Sequence, residues 1–265
     1  MPYAQVTIIL PVFNGEATLV RAVESILHQT YPHWKLLVID DGSTDSTLKL
    51  AHSFQDPRIT VISDGTPKGI VARLNQGVGL VNTPYIARMD ADDYSLPERL
   101  ERQLQFLETN PNIDLLGTAI QLVTPSGQVI GKRIFSTLHS GIISRPWLKT
   151  ISIAHPTWFG RTEWFRKWPY RHFTRNEDQE LLLRASSSSI YSNLHEPFLK
   201  YTIKNNFYQK LQTRLSWLVV LVKYYLKRRH YLVLFLSISV FFVKISIDFI
   251  HNLTQKLPIL KSPKI

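Results

Sequence analysis

The chain has 265 residues, enough for one sizeable α/β domain with an appendage, and its hydrophobic fraction of 44% excludes disorder as the default. It contains no cysteine, which excludes a disulfide framework, a thiolate metal site and a cysteine nucleophile. The net charge of +11 is uneven: residues 201–265 hold eleven Lys and Arg against the single acid Asp248, while residues 1–200 are nearly neutral. A tail that is basic, apolar and aromatic together points to an anionic membrane surface and away from nucleic acid.

The apolar run from Val6 to Val12 reads as a strand, closed by the turn residues Phe13, Asn14 and Gly15. No basic stretch with a long apolar core precedes it, so no signal peptide is expected. Leu19, Ala22, Val23, Ile26 and Leu27 fall at helical spacing between Ala17 and His28. Trp34 to Ile39 is a second strand, Leu48 to Phe54 a helix and Ile59 to Ile62 a third strand. Ile70 to Val81 reads as a helix, Tyr85 to Met89 as a fourth strand, and Pro97 opens a helix to about Thr109. Beyond it lie two strand-like stretches around Gly127, an aromatic and basic stretch from Trp164 to Arg175, a helical turn or two from Glu177 to Ala185, and a serine loop.

Strands alternating with helices predict an α/β fold with a mainly parallel sheet flanked by helices. Ligands of such sheets lie beyond the carboxyl ends of the strands. Three polar clusters follow strands directly, Asn14, then Asp40 and Asp41, then Asp90, Asp92 and Asp93, so they are expected along one sheet edge.

The tail, taken as residues 204–265 after a catalytic-type domain of residues 1–203, holds two apolar segments. Leu215 to Val222 is too short to cross a bilayer. Tyr231 to Ile250 has the length, but Lys244 and Asp248 interrupt it. With Lys223, Lys227, Arg228 and Arg229 between the segments, an interfacial helix or helical hairpin gripping anionic lipid fits better than a full span. The alternative is a soluble helical unit packed on the core.

Asp90-Ala91-Asp92-Asp93 crowds three carboxylates into four positions. Such repulsion calls for a compensating cation or free solvent, and hard oxygen ligands suit Mg²⁺ or Mn²⁺. The competing reading is a helix cap from Asp93 or Ser95. Asp40 ends a buried strand, where a carboxylate needs a partner; a nucleobase N–H is one candidate. Capping of the next helix accounts for Asp45. Glu177 and Asp178, at a helix start, are either dipole-complementing acids or chemistry.

The ordered series Pro11 to Glu16, Asp40 to Asp45, Arg73 to Gly77, Asp90 to Asp93 and Glu177 to Arg184 resembles the family 2 glycosyltransferases of the GT-A fold, non-processive bacterial type, over roughly residues 5–200. The resemblance implies a nucleotide-diphosphate sugar donor, with Asp40 at the base, Pro11 and Asn14 lining the nucleotide pocket, and Arg73 near the phosphates. It implies metal ligation at Asp92 and Asp90, Asp90 lying nearer ribose or a metal-bound water. Asp178 is implied as the general base, with Glu177 beside it and His155 in a histidine-proline stretch before the acceptor region. It implies an inverting transfer of a hexosyl-type sugar to a hydroxyl on a glycan or lipid-linked acceptor, in cell-surface polysaccharide or glycolipid synthesis at the cytoplasmic face of the membrane. The processive members' Q-x-x-R-W motif is missing, since Ala185 follows Arg184, so one sugar per acceptor encounter is expected. Two other readings stay open: a polyprenyl-phosphate sugar transferase on the same fold, which needs no strong base, and a catalytically silent nucleotide-binding protein.

Overall fold

The structure, a computed structural model, describes residues 6–173, 175–203 and 207–256, with 251–256 described by backbone alone. Its first half alternates β1 (Val6–Val12), α1 (Leu19–Leu27), β2 (Trp34–Asp40), α2 (Thr47–His52), β3 (Ile59–Ile62), α3 (Ile70–Leu80) and β4 (Tyr85–Arg88). Then come β5 (Tyr94–Ser95), α4 (Arg99–Thr109), β6 (Leu115–Val123), β7 (Val129–Arg133), α5 (His139–Ile142), a 3₁₀ turn (His155–Thr157), β8 (Phe159–Arg161) and α6 (Thr162–Lys167). The chain continues through α7 (Glu177–Ala185), β9 (Tyr191–Thr202), α8 (Phe207–Lys227) and α9 (Tyr231–Lys256).

The strands form one sheet in the order β3-β2-β1-β4-β8-β6-β9-β5, with β7 beside β6. β3, β2, β1 and β4 run parallel, as the strand–helix alternation predicts. From β8 onward the pairing is mixed, with antiparallel β8 joining the two halves. The period of two in β1 divides its side chains between two cores. Val6, Ile8, Leu10 and Val12 pack with α1 and α4 on one face, and Ile9 packs with α3, α6 and α7 on the other. Each fully buried Ile or Leu contributes about 1.5–3 kcal/mol. Gly77 lets α3 lie against the sheet: a Cβ there would come within 2.7 Å of Ile9 and 2.9 Å of Ile39.

The register places the chemistry. Val12 pairs with Asp40 and Ile9 with Arg88, so the carboxyl ends of β1, β2 and β4 meet at one edge. There the Asp41 amide donates to Val12 O at 2.8 Å.

The two apolar segments of the tail lie on two helices, and of these only Tyr231–Ile250 is long and apolar enough to cross a membrane. α8 is one helix of 21 residues and runs well past both ends of the apolar stretch from Leu215 to Val222. Nor does the tail stand apart from the rest: Val220, Leu221 and Tyr225 belong to the same buried cluster as Ile9, Trp158 and Leu181. The boundary expected at residues 203 and 204 falls at the start of residues 204–206, which lie outside the described residues.

Candidate active site

Asp90 and Asp92 stand just after β4, and they share one cavity of about 1270 Å³ with Arg88, His155, Glu177 and Asp178. Carboxylate oxygens of Asp90, Asp92 and Asp93 lie within 4.8 Å of one another, and so do ligand-type atoms of His155, Glu177 and Asp178. Asp90 and Asp92, and, some ninety residues further along the chain, Glu177 and Asp178, therefore line one cleft.

The first group is held by α1 and β9. Arg21 on α1 donates to Asp92 O at 2.8 Å, and the Thr202 hydroxyl on β9 donates to the same oxygen at 2.6 Å. Asp93 does not cap α4. It is 1% exposed, and its Oδ1 accepts the Thr202 amide at 3.0 Å. Ser95 is not a cap either, since its hydroxyl accepts from Gln29 Nε2 at 3.1 Å. Asp93 Oδ2 is buried with no hydrogen-bond partner among the described residues. Burial first, then the Asp90 and Asp92 charges, pushes the Asp93 carboxyl well above the usual carboxylate range. An orphaned oxygen beside two carboxylates is a donor set that fits a hard divalent cation.

Arg88 is the residue the sequence reading passed over. It ends β4, is 3% exposed, and its Nη2 lies 2.5 Å from Asp90 Oδ1. Its Nε and Nη1 are buried with no partner among the described residues. Its backbone is fixed twice, N–H to Trp158 O at 2.8 Å and C=O from Arg99 Nη2 at 2.7 Å. Arg99 is itself buried, which pushes its guanidinium down to about 9. An Arg directly before strand-end acids, as in Arg88-Met89-Asp90, was a legible signal.

The second group sits at the start of α7. Asn176, in a left-handed conformation at φ 63°, turns the chain into the helix and aims Glu177 and Asp178 at the cleft. Gln179 Nε2 donates to Asp178 Oδ2 at 3.1 Å, and Gln179 Oε1 accepts the Ile151 amide at 2.7 Å, tying the acid to the opposite wall. Burial, then repulsion from Asp178, pushes Glu177 up to about 7. Burial likewise pushes Asp178 upward. His155 Nε2 lies 2.8 Å from the Tyr170 hydroxyl, and its ring packs edge-on against Trp158. Burial, with Arg88 nearby, holds His155 well below its usual range and so neutral. Trp158, Trp164 and Tyr170 are core residues. Arg184 pairs with Glu180 at 2.9 Å on its own helix face.

The remaining expected ligand residues are brought to the same sheet edge but not to the cavity lining. Pro11 is buried within β1. Asn14, at φ 49°, accepts the Thr44 amide at 2.9 Å and so latches the β1–α1 loop to the β2–α2 loop. Asp40, expected at a base, is 1% exposed and accepts from the Gly42 and Ser43 amides and from the Ser63 hydroxyl at 2.8 Å. Its partners are its own loop and the residue after β3, because a carboxylate at a buried strand end captures the nearest donors. Arg73, expected at phosphates, is fully buried and bonded throughout: Nε to Asp41 at 2.9 Å, Nη2 to Asp64 at 2.7 Å, Nη1 to Gln76 at 3.0 Å, and Thr66 O besides. These bonds make it the anchor of the 64–69 loop.

The family model for glycosyl transferase family 2 matches residues 7–169. The chain belongs to this family. Among relatives of this glycosyltransferase, EpsE of Bacillus subtilis (strain 168) is 35% identical over 205 residues, covering 74% of this chain and 72% of EpsE. An Escherichia coli relative is WfgD, a UDP-Glc:alpha-D-GlcNAc-diphosphoundecaprenol beta-1,3-glucosyltransferase. It is 32% identical over 127 residues, covering 48% of this chain and 49% of its own. Among solved structures, S. aureus TarS 1-349 in complex with UDP-GlcNAc superposes with a TM-score of 0.64 at 19% identity, over 82% of this chain. The chain spans 66% of that TarS structure, and the likeness establishes the GT-A fold.

Proposed function

We propose that this family 2 glycosyltransferase moves a sugar from a nucleotide-diphosphate donor to a hydroxyl of a glycan or lipid-linked acceptor, in synthesis of a cell-surface polysaccharide or glycolipid. The observation that carries the reading is the shared cleft: Asp90 and Asp92 on one side and His155, Glu177 and Asp178 on the other line one cavity large enough for a sugar nucleotide. UDP-GlcNAc in the structurally similar TarS and the diphosphoundecaprenol acceptor of WfgD supply the substrate classes.

Asp92 and Asp90 would hold a divalent ion, Mg²⁺ or Mn²⁺, with buried Asp93 behind them. Such an ion offsets the negative charge of the leaving diphosphate. The chain's own groups do the rest. Arg88 fixes the orientation of Asp90 through its Nη2. Asn14, Asp40 and Arg73 act on the nucleotide indirectly, by holding the loops at residues 13–16, 41–44 and 64–69 at the carboxyl edge of the sheet.

At the other group, Asp178 takes the proton of the acceptor hydroxyl as that oxygen attacks the anomeric carbon. The bond from that carbon to the diphosphate oxygen breaks, and nucleoside diphosphate leaves. One displacement inverts the anomeric centre. Glu177, poised near 7, and neutral His155 set the electrostatics around Asp178. Carboxyls raised toward neutral pH suit a hydroxyl acceptor, which needs a base, over a phosphate acceptor, which does not.

The chain acts at the cytoplasmic face of the membrane, to which α8 and α9 bring it. The test incubates the full chain with Mn²⁺ and a panel of nucleotide sugars and acceptors, and measures released nucleoside diphosphate. Near-total loss of release in Asp178→Asn supports the hydroxyl acceptor. A mild loss moves the reading to a polyprenyl-phosphate acceptor.

A further inference from the structure

α9 carries a stretch, Tyr231–Ile250, with a mean hydropathy of 2.2 of which only 6% is buried. Its exposed and covered residues alternate with the helical period. Leu232, Phe235, Phe242, Val243, Ile247 and Ile250 point outward, each more than half exposed. Ser237, Lys244 and Asp248 point inward, at spacings of seven and four that place them on the opposite face. The inward face is bonded to the rest of the protein. Lys244 Nζ donates to Leu148 O, and Asp248 pairs with Arg214 of α8 through both carboxylate oxygens, one at 3.0 Å.

α8 has the same two-sidedness. Tyr208, Leu215, Val219 and Leu226 are exposed at spacings of seven, four and seven. The other side reaches the acid-bearing loop: Thr213 O accepts from Asn176 Nδ2 at 2.7 Å, and Ser216 Oγ donates to Arg175 O. Residues of both helices, among them Arg214, Trp217, Phe241 and Lys244, line the same cleft as Asp90 and Asp178.

We infer that the α8–α9 hairpin lies in the plane of an anionic bilayer as a monotopic strap. Its outer apolar face sinks to the headgroup boundary, while its inner face roofs the cleft and braces the loop that carries Glu177 and Asp178. A spanning orientation would pull Lys244 and Asp248 from their partners into hydrocarbon, where ionised groups are costly. The lying orientation keeps every bond named above. The exposed Lys227, Arg228 and Arg229 at the α8–α9 turn match anionic headgroups in charge. The acceptor end of the cleft then opens at the membrane surface, which suits an amphiphilic acceptor drawn from that membrane. This refinement rests on the membrane part of the reading above.

The chain has no cysteine, so single cysteines report cleanly. Nitroxide-labelled cysteines at successive positions from 232 to 250 of the full chain, bound to vesicles of phosphatidylglycerol and phosphatidylethanolamine, give a depth profile. Immersion is expected to oscillate with a period of about 3.6 residues, with 235, 242 and 249 deep and 237, 241 and 248 shielded. A profile passing steadily through the bilayer centre overturns the strap in favour of a span. Failure to bind vesicles, with a dimeric mass in detergent-free solution, overturns it in favour of a second copy on the apolar face. Replacement of Lys227, Arg228 and Arg229 by Gln is expected to weaken sedimentation with these vesicles at least tenfold, and unchanged sedimentation counts against the anionic contact. Mn²⁺-dependent binding of UDP, read by fluorescence in the same samples, reports the transfer reading separately.

Discussion

Arg88 Nη2 lies 2.5 Å from Asp90 Oδ1, and this is the single ion pair that the buried Arg88 guanidinium makes among the described residues. A permanent cation with Nε and Nη1 left bare inside the protein does not recommend itself as a stabilising device, since each unmade buried hydrogen bond costs about 1–3 kcal/mol. Its value lies in where it holds Asp90 and in the positive charge it sets between the two acid groups. Arg88→Met is therefore expected to leave the melting temperature nearly unchanged, because the Asp90 carboxylate is 29% exposed and can be rehydrated from the cleft. Transfer is expected to fall by about 100-fold. Thermal melting and turnover measured side by side check both halves.

Arg73 predicts the reverse. It is completely buried and bonded to Asp41, Asp64, Gln76 and Thr66. Arg73→Ala leaves the Asp41 carboxylate, which is 14% exposed, with the Lys68 and Gly69 amides but without its cation, and should cost about 3–5 kcal/mol. Arg73→Lys should rescue little of that, because an ammonium cannot copy the planar fork. Chemical denaturation measures the loss. A fully stable Arg73→Ala protein with weakened nucleotide binding would instead return Arg73 to direct phosphate contact.

The pH dependence follows from the pair at the head of α7. Glu177 is pushed up to about 7 and Asp178 upward with it, and the two titrate together. A base works unprotonated, so kcat/KM should climb about tenfold per pH unit below the pair's upper step and level off above about 7. Glu177→Gln removes the neighbouring carboxylate and should move the limb to lower pH. Asp178→Asn should lower the whole profile by about 100- to 10,000-fold. A pH–rate series on the three proteins decides.

Removal of the divalent ion by EDTA should abolish transfer, and Mn²⁺ or Mg²⁺ should restore it. Asp92→Ala should weaken Mn²⁺ binding, followed by electron paramagnetic resonance without any substrate, by at least tenfold. Asp93→Asn should weaken it less, since Asp93 is buried behind the other two acids and its Oδ1 already accepts the Thr202 amide.

Much of the parallel half was legible because its signals are local. Val6–Val12 and Ile59–Ile62 alternate or run apolar between clear turn residues, and the structure reproduces both spans. β8 and β9 were not legible. β8 is three residues long, and β9 carries His195, Glu196 and Pro197 in mid-strand, where its register with β6 also shifts. Tertiary pairing with β6 overrides that composition. The acids at residues 90–93 and 177–178 were readable as chemistry from type and spacing. The partners of Asp40 and Arg73 were not, because their bonds to Ser63 and Asp64 depend on how the 63–69 loop folds back over β2. Gly42, at φ 72°, belongs to that fold: a Cβ there would come within 2.9 Å of the Thr66 and Pro67 backbone.

The most direct test of the cleft as a sugar-nucleotide site is calorimetric titration of UDP with Mn²⁺ into the wild-type chain, Asp92→Asn and Asp178→Asn, with turnover recorded for each. The expected pattern is a split: Asp92→Asn loses Mn²⁺-dependent UDP affinity, while Asp178→Asn binds like wild type and does not turn over. Equal binding and equal turnover in all three, or no nucleoside diphosphate bound by the wild type, would contradict the assignment of donor and base to this cavity.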